Sequence, residues 1–376
     1  MDRILFFTTV HKIDDVRIFY KEILSVHKKF PKVNYIVPCG LKVRFYKSEI
    51  NIEPLPFPKN EIDRIFRLQL LSFFKIIKLR PDIIHFHDPE LLFLVWFIQK
   101  LIHCKVIYDV HENIVASFDD KTYLPKIFKS ILKKYFSRIE KYLIKSFNSV
   151  ILAEESYQKY YNDKTVTILN YPILAKIDTK NIDFSDTLNF VYCGQITELR
   201  GINNILEIFL ILKRKYNLDV HLHLIGNYYP KNLEQYVFEY CSNNGIAEYV
   251  TQYGWLNMEE VCKLLQKMQI GFSILAPINN HLNSLPTKIL EYMMFGLPVI
   301  VSDFKIYDKY VTSPNTGIKV DYSNNEDSAG KIHELIKNHK SLSIMSTNGI
   351  KKVKDEWNWQ TEEKKLLDLY SKLLDK

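Results

Sequence analysis

The chain of 376 residues has no long apolar run. Its most hydrophobic window, LLFLVWFI at 91–98, falls far short of the roughly 20 residues a membrane-spanning helix needs. Residues 1–10 contain RILFFTTV, which reads as a strand and not as a cleavable leader. Five cysteines are scattered with no C-x-x-C pair, which argues against a disulfide framework and points to free thiols in a reducing compartment. No G-x-G-x-x-G follows the first strand, and no G-x-x-x-x-G-K-[ST] occurs. A dinucleotide oxidoreductase and a P-loop kinase are therefore disfavoured. A nucleophile elbow and H-E-x-x-H are also missing, which disfavours a serine hydrolase and a zinc peptidase. The histidines show no metal-ligand spacing, so no metal site is expected. There is no low-complexity tract and no repeat of solenoid period. A cytoplasmic location follows as the expectation.

What is present suits a globular protein: 47% of residues are apolar and 25% charged. The length suits two domains. The net charge of +8 is concentrated in 121–147, where eight Lys or Arg face one acid, Glu140. Apolar residues recur there at helical spacing. Such a helix suits an anionic membrane surface; equally, its apolar side suits packing on its own domain. No nucleic-acid-binding motif accompanies the charge, so a nucleic-acid partner is not expected.

Short apolar runs ending in polar residues alternate with amphipathic stretches. In the first half they lie at 3–9, 34–40, 82–88, 105–111 and 149–155, with helical patterns at 14–29, 60–80 and 89–101. In the second half they lie at 188–194, 220–226, 250–255, 270–276, 298–303 and 316–321. Helical patterns there cover 202–216, 231–244, 258–267 and 286–295. This alternation predicts two doubly wound, parallel-sheet, Rossmann-like α/β domains facing a cleft. The boundaries read as 1–172, a polar linker at 173–187, and 188–355. A final helix at 356–376 is expected to pack back on the N-terminal domain. Ligands of such sheets bind outside the carboxyl ends of the strands.

Two stretches at strand ends carry the chemistry. In YCGQITELRGI, Gly194 ends a strand and Arg200-Gly201 opens a helix. A turn, a cation and a helix start suit an anion, although a plain strand-to-helix turn reads the same way. In NSLPTKILEYMMFGLPVIVSD, residues 283–303, Ser284 is the expected N-cap and Pro286 suits the first turn. Lys288 in that turn opposes the helix dipole unless an anion offsets it. Thr287 and Glu291 share its face. A hydroxyl and an ammonium fit phosphate oxygens; a carboxylate one turn deeper fits a ribose diol. A surface pair of Lys288 with Glu291 is the plainer alternative.

LPTKILEYMMFGLPVIVSD resembles the donor-binding segment of the family 4 retaining glycosyltransferases, which have the GT-B fold. GQITELRGI resembles their phosphate loop. TTVHKIDDVRIFYKE (8–22), PDIIHFHDPELL (81–92) and VIYDVHEN (106–113) resemble bacterial members that build surface polysaccharides of the O-antigen, lipopolysaccharide or capsule type. The resemblance runs nearly end to end. It implies transfer of a hexosyl or N-acetylhexosaminyl group from a UDP- or GDP-linked sugar, a co-substrate and not a cofactor, without a metal. The acceptor is expected to be a lipid-linked glycan, reached from the inner face of the cytoplasmic membrane.

Under this resemblance Arg200 and Lys288 hold the diphosphate beside Gly194, Gln195 and Thr287. Glu291 binds the ribose, and Gly226, Tyr253 and Gly254 border the base. His111 lies near the transferred sugar. His11, Asp15, Arg17 and His87 are acceptor-side candidates. His85 and His87 are expected on opposite faces of their strand, with His87 toward the site. His221 and His223 are expected to be structural.

Two residues depart from the pattern. Gln195 stands where the family often has Arg. Asn283 stands where the first glutamate of an E-x7-E pair is frequent, facing the sugar. Asn keeps hydrogen bonding but loses the charge, so the donor sugar does not carry over from the family. A nucleotide-sugar epimerase on the same fold and an inactive membrane-associated scaffold remain as alternatives.

Overall fold

A computed structural model describes residues 3–40, 45–46, 50–111, 126–161, 164–175, 182–185 and 187–375; the side chains of 45–46 and 126–133 lie outside the description. Of the expectations above, Glu112 and Asn113, residues 121–125 of the basic segment, and linker residues 176–181 and 186 fall outside the described residues.

The chain divides into two compact units. One comprises Met1–Asn170 with Trp359–Lys376; the other is Tyr171–Asn358. Each is built on a parallel sheet.

The sheet of the first unit contains β1 (Ile4–Phe7), β2 (Val33–Pro38), β3 (Phe45–Tyr46), β4 (Ile50–Leu55), β5 (Ile83–Phe86), β6 (Lys105–Val110), β7 (Ser149–Leu152) and β8 (Thr165–Thr167). Their spatial order is β3-β4-β2-β1-β5-β6-β7-β8. All neighbours pair in parallel except β3 with β4. The sequence reading missed β3, β4 and β8. β4 contains Pro54 and β8 is only three residues long, so neither shows an uninterrupted apolar run.

Alternate residues of these strands enter two cores, as a period of two requires. Leu5, Phe7, Ile84 and Phe86 face α1 (Gln69–Leu79), α2 (Leu92–Ile102) and α3 (Lys126–Ile144). Ile4, Phe6, Ile83 and Ile107 face the other side, where the C-terminal helix lies.

In the second unit, β9 (Leu188–Cys193), β10 (Val220–Ile225), β11 (Val250–Gly254), β12 (Ile270–Ser273), β13 (Val299–Ser302) and β14 (Gly317–Val320) form an all-parallel sheet. The order is β11-β10-β9-β12-β13-β14. The strand order therefore reverses between β9 and β12. A crevice at the carboxyl ends there is the usual ligand position of this topology. α4 (Ile202–Arg214) follows β9, and α5 (Thr287–Met294) lies between β12 and β13. Helices Asn325–Ile336 and His339–Asp355 complete the unit; their polar sequences gave no clear helical reading.

The last helix, α6 (Trp359–Leu373), belongs to the first unit. Trp359, Leu366, Leu369 and Tyr370 are buried in its core. The Trp359 indole donates to Ser25 Oγ at 3.0 Å. Glu362 accepts from the Leu169 N–H at 2.9 Å.

Candidate active site

In the second unit the predicted phosphate-binding residues gather at the reversal point. Gly194 follows β9 with φ of +122°, and Gly226 follows β10 with φ of +140°. A Cβ on Gly226 would lie 1.9 Å from the Gly194 carbonyl oxygen, and a Cβ on Gly194 would lie 3.2 Å from Lys288 Nζ. Only glycine fits such a close approach at these dihedrals. The Gly226 N–H donates to the Gly254 carbonyl at 2.7 Å, which ties β11 to the same edge.

Lys288 reaches this edge from the first turn of α5. Its stem is half-buried, while its ammonium nitrogen is sealed from solvent with no hydrogen-bond acceptor among the described residues. The nitrogen sits 3.8 Å from the ring centre of Tyr192, a cation–π contact. Burial pushes its pKa down to about 7, and the Arg200 cation adds to the shift. Arg200 closes the short turn Glu198–Arg200, which Thr197 caps by accepting from the Arg200 N–H at 3.1 Å. The Arg200 guanidinium reaches the Gln195 carbonyl at 3.5 Å, and the Gln195 side chain is exposed. Thr287 and Glu291 occupy the same helix at positions i and i+4.

The start of α5 differs from expectation. Pro286, not Ser284, is the N-cap, and no side-chain cap bond closes the helix among the described residues. Proline disfavours helical geometry in the residue before it, so the helix begins only after Pro286. Asn283 ends the turn Asn279–Leu282 and is exposed.

Tyr253 lies on β11 in a chain of polar contacts. His223 Nε2 is 3.0 Å from Asn189 Oδ1, and its Nδ1 is 3.0 Å from the Tyr253 hydroxyl. With Nε2 donating to the amide oxygen, Nδ1 accepts from tyrosine. Burial holds this imidazole neutral, with its pKa down to about 4.

Sequence reasoning missed Tyr192 and Tyr292. The Tyr292 hydroxyl accepts from the Cys193 N–H at 2.7 Å and so pins the end of β9 to α5.

The first unit assembles a second polar cluster at the carboxyl ends of β1, β5 and β6. It brings together His11, Asp15, Arg17, His87 and His111. The His11 ring lies 5.5 Å from that of His111, and the His87 ring 4.8 Å from it. His11 Nδ1 is 3.3 Å from Asp15. Burial opposes ionisation of Asp15, but the His11 side chain and the Ile18 N–H outweigh it and hold the pKa at about 2.

Arg17 is 5% exposed and organises the cluster. It donates twice to Asp109, at 2.9 and 3.2 Å, and pairs with Glu22 at 2.9 Å. Its Nε also donates to His111 Nε2 at 3.2 Å. An imidazole nitrogen that accepts leaves the proton on Nδ1. Burial disfavours a charged Asp109, but Arg17 prevails and holds its pKa well below the usual carboxylate range. Glu22 moves the other way: burial and the Asp109 charge raise its pKa well above that range.

His85 and His87 do not face opposite ways. Their rings stack at 4.8 Å, because positions two apart on a strand share a face. His87 contacts Glu22 at 2.8 Å, and His85 contacts the Tyr370 hydroxyl at 2.8 Å. Both are fully buried, so neither is open at the surface. Glu22, His85, His87 and Asp109 each offer one ligand atom, all within 4.8 Å of one another. That donor set suits a metal ion. Arg17, however, already lies on both carboxylates and supplies a cation there.

Comparison with known proteins places this arrangement. The family model described as Glycosyltransferase Family 4 matches residues 33–166, and that described as Glycosyl transferases group 1 matches 176–352. An uncharacterized glycosyltransferase of Methanocaldococcus jannaschii is 20% identical over 338 residues, covering 85% of this chain and 82% of the relative. The structure of HepE from Anabaena in complex with UDP superposes with a TM-score of 0.75 at 12% identity, covering 98% of this chain and 100% of that one. The lipopolysaccharide outer core galactosyltransferase WaaB, in its apo form, superposes with a TM-score of 0.67 at 14% identity, covering 98% and 99%. Fold and family models together define a glycosyltransferase of GT-B architecture. Within that class, the chain belongs to the family 4 glycosyltransferases.

Proposed function

We propose that this glycosyltransferase moves a hexosyl or N-acetylhexosaminyl group, with retention, from a UDP- or GDP-linked donor to a lipid-linked glycan in surface-polysaccharide assembly. The observation that carries the reading is the sealed, unpaired ammonium of Lys288 at the reversal point of a Rossmann-like sheet. A buried cation without an acceptor is unfavourable, and a diphosphate offers the missing acceptor and restores its proton. UDP in the HepE structure and UDP-glucose in a second one support a nucleotide-sugar donor.

In this reading Lys288 and Arg200 neutralise the leaving diphosphate, so that no metal is required. Gly194, Gln195, Gly226 and Thr287 shape the phosphate loop, Glu291 binds the ribose, and Tyr253-Gly254 border the base. The acceptor hydroxyl attacks the anomeric carbon on the face from which the diphosphate departs. The carbon–oxygen bond to phosphate breaks, the glycosidic bond forms, and the hydroxyl proton passes to the departing phosphate oxygen. His111, held by Arg17, contacts the sugar through Nδ1–H, and Asn283 contacts its hydroxyls. His11, Asp15 and His87 serve the acceptor side, with buried His87 acting through its neighbours. A lipid-linked acceptor implies an anionic membrane surface, and 121–147 is the part of that contact visible in sequence. The proposed attachment is peripheral, at the inner face; no helix among the described residues is long and apolar enough to cross a membrane.

A panel of UDP- and GDP-sugars with lipid-linked acceptors in EDTA tests the proposal. The expected result is release of UDP or GDP and a product whose anomeric NMR coupling matches the donor. Interconversion of the donor sugar without acceptor would identify an epimerase instead, and inversion at the anomeric carbon would overturn the retaining mechanism.

A further inference from the structure

We propose that the first unit docks on an anionic lipid bilayer through the outward face of three adjacent helices, of which the basic segment is only one. α1, α2 and α3 cover the same side of the sheet through buried residues such as Ile76, Val95 and Leu143. The Phe73 and Phe97 rings, 6.2 Å apart, join α1 to α2. Each helix turns a second apolar ladder away from the sheet. Phe66, in the π-helical turn Arg64–Leu68 that leads into α1, is followed by Leu70 and Phe74. On α2 the ladder is Phe93, Phe97 and Leu101; on α3 it is Tyr135, Ile139 and Tyr142. The spacing is i, i+4, then i+7 or i+8, so each ladder forms one stripe. Exposure reaches 62% at Phe74 and 66% at Phe93. Single exposed apolar residues are ordinary, but three neighbouring stripes form a patch that marks an interaction surface.

Charge selects the occupant. Within 64–80, 92–102 and 134–147 the only acid is Glu140. It is buried and accepts from the Tyr161 hydroxyl at 2.7 Å. Lys78, Lys100, Lys134, Arg138 and Lys141 are exposed on these same helices, and Lys145 is exposed just past the end of α3. A second copy of this face would set cations against cations. A bilayer with anionic headgroups accepts the apolar ladders in its interface and pairs with the surrounding lysines. None of the three is both long and apolar enough to cross it, so they are placed in its plane. Docking stands on these side chains alone; only its purpose, access to a lipid-linked acceptor, rests on the proposed function.

Flotation with vesicles of phosphatidylcholine alone, or with phosphatidylglycerol added, tests this. The wild-type chain is expected to float with the anionic vesicles and to be released by high salt. Phe74→Ser with Phe93→Ser should lower binding more than tenfold. Lys141→Gln with Lys145→Gln should lower it about 25-fold, at about fivefold per cation. Circular dichroism melting should be near that of wild type for both pairs, since every replaced side chain is exposed. Thermal stabilisation by UDP or GDP, followed in parallel, should be unchanged. Absence of stabilisation of the wild type by both nucleotides, with flotation intact, would sink the proposed function and leave the docking face standing. Absence of flotation with anionic vesicles would overturn the docking proposal. So would a wild-type dimer in sedimentation that the phenylalanine pair dissociates, since the face would then join two copies.

Discussion

The Lys288 ammonium sits 3.8 Å from the ring centre of Tyr192 and has no hydrogen-bond acceptor among the described residues. Replacing it with an apolar side chain of similar length should therefore separate stability from function. Lys288→Met should melt at or above the wild-type temperature, because an unpaired buried cation is removed. Activity should fall about 10²- to 10³-fold, since a cation on the leaving group is lost. Differential scanning calorimetry and steady-state kinetics check the two halves.

The same lysine links binding to pH. In the unfolded chain its pKa is near the ordinary 10.5, and in the ligand-free fold it is about 7. Between these values the unfolded state holds more protons, so this group's contribution to stability rises with pH across that window. A bound diphosphate favours the charged form, so binding takes up a proton above about pH 7. Affinity should then fall with rising pH, by up to about tenfold per unit. Calorimetry in buffers of different ionisation enthalpy measures the uptake, and Lys288→Met should abolish it.

Arg17 ties Asp109, Glu22 and His111 together at 5% exposure. Arg17→Met leaves a buried carboxylate unpaired and should destabilise the protein by about 3–5 kcal/mol. His111→Ala should leave the fold and UDP binding intact while lowering kcat. Urea unfolding and single-turnover kinetics distinguish these outcomes.

Trp359 anchors α6 in the core of the first unit, with its indole donating to Ser25. Trp359→Ala should cost about 3–5 kcal/mol. Limited proteolysis should then release the C-terminal helix before the rest of the chain is cut.

All six strands of the second sheet could be read from the sequence because each is a short stretch rich in strand-forming residues, set off by turns or helical patterns. Thr287, Lys288 and Glu291 were legible for a similar reason: their relation is local, within one helix. Glu22, His85 and Asp109 come from three separate elements, and nothing in sequence spacing shows that they meet. Tyr192 and Tyr292 looked like ordinary core positions; only packing shows one beneath an ammonium and the other holding the end of a strand. The LLFLVWFI window was legible as too short to span a bilayer. That Phe93 and Phe97 within it point outward follows only from Val95 and Ile98 taking the inward face.

The proposed chemistry of the second unit depends on a diphosphate site built around Lys288. Isothermal titration of UDP and GDP in EDTA, into wild type and Lys288→Met, measures that site. Wild type should bind at least one of the two, and the variant, folded and as stable, should lose at least about tenfold in affinity. Equal binding by both proteins, or binding of neither nucleotide by wild type, would overturn the diphosphate site.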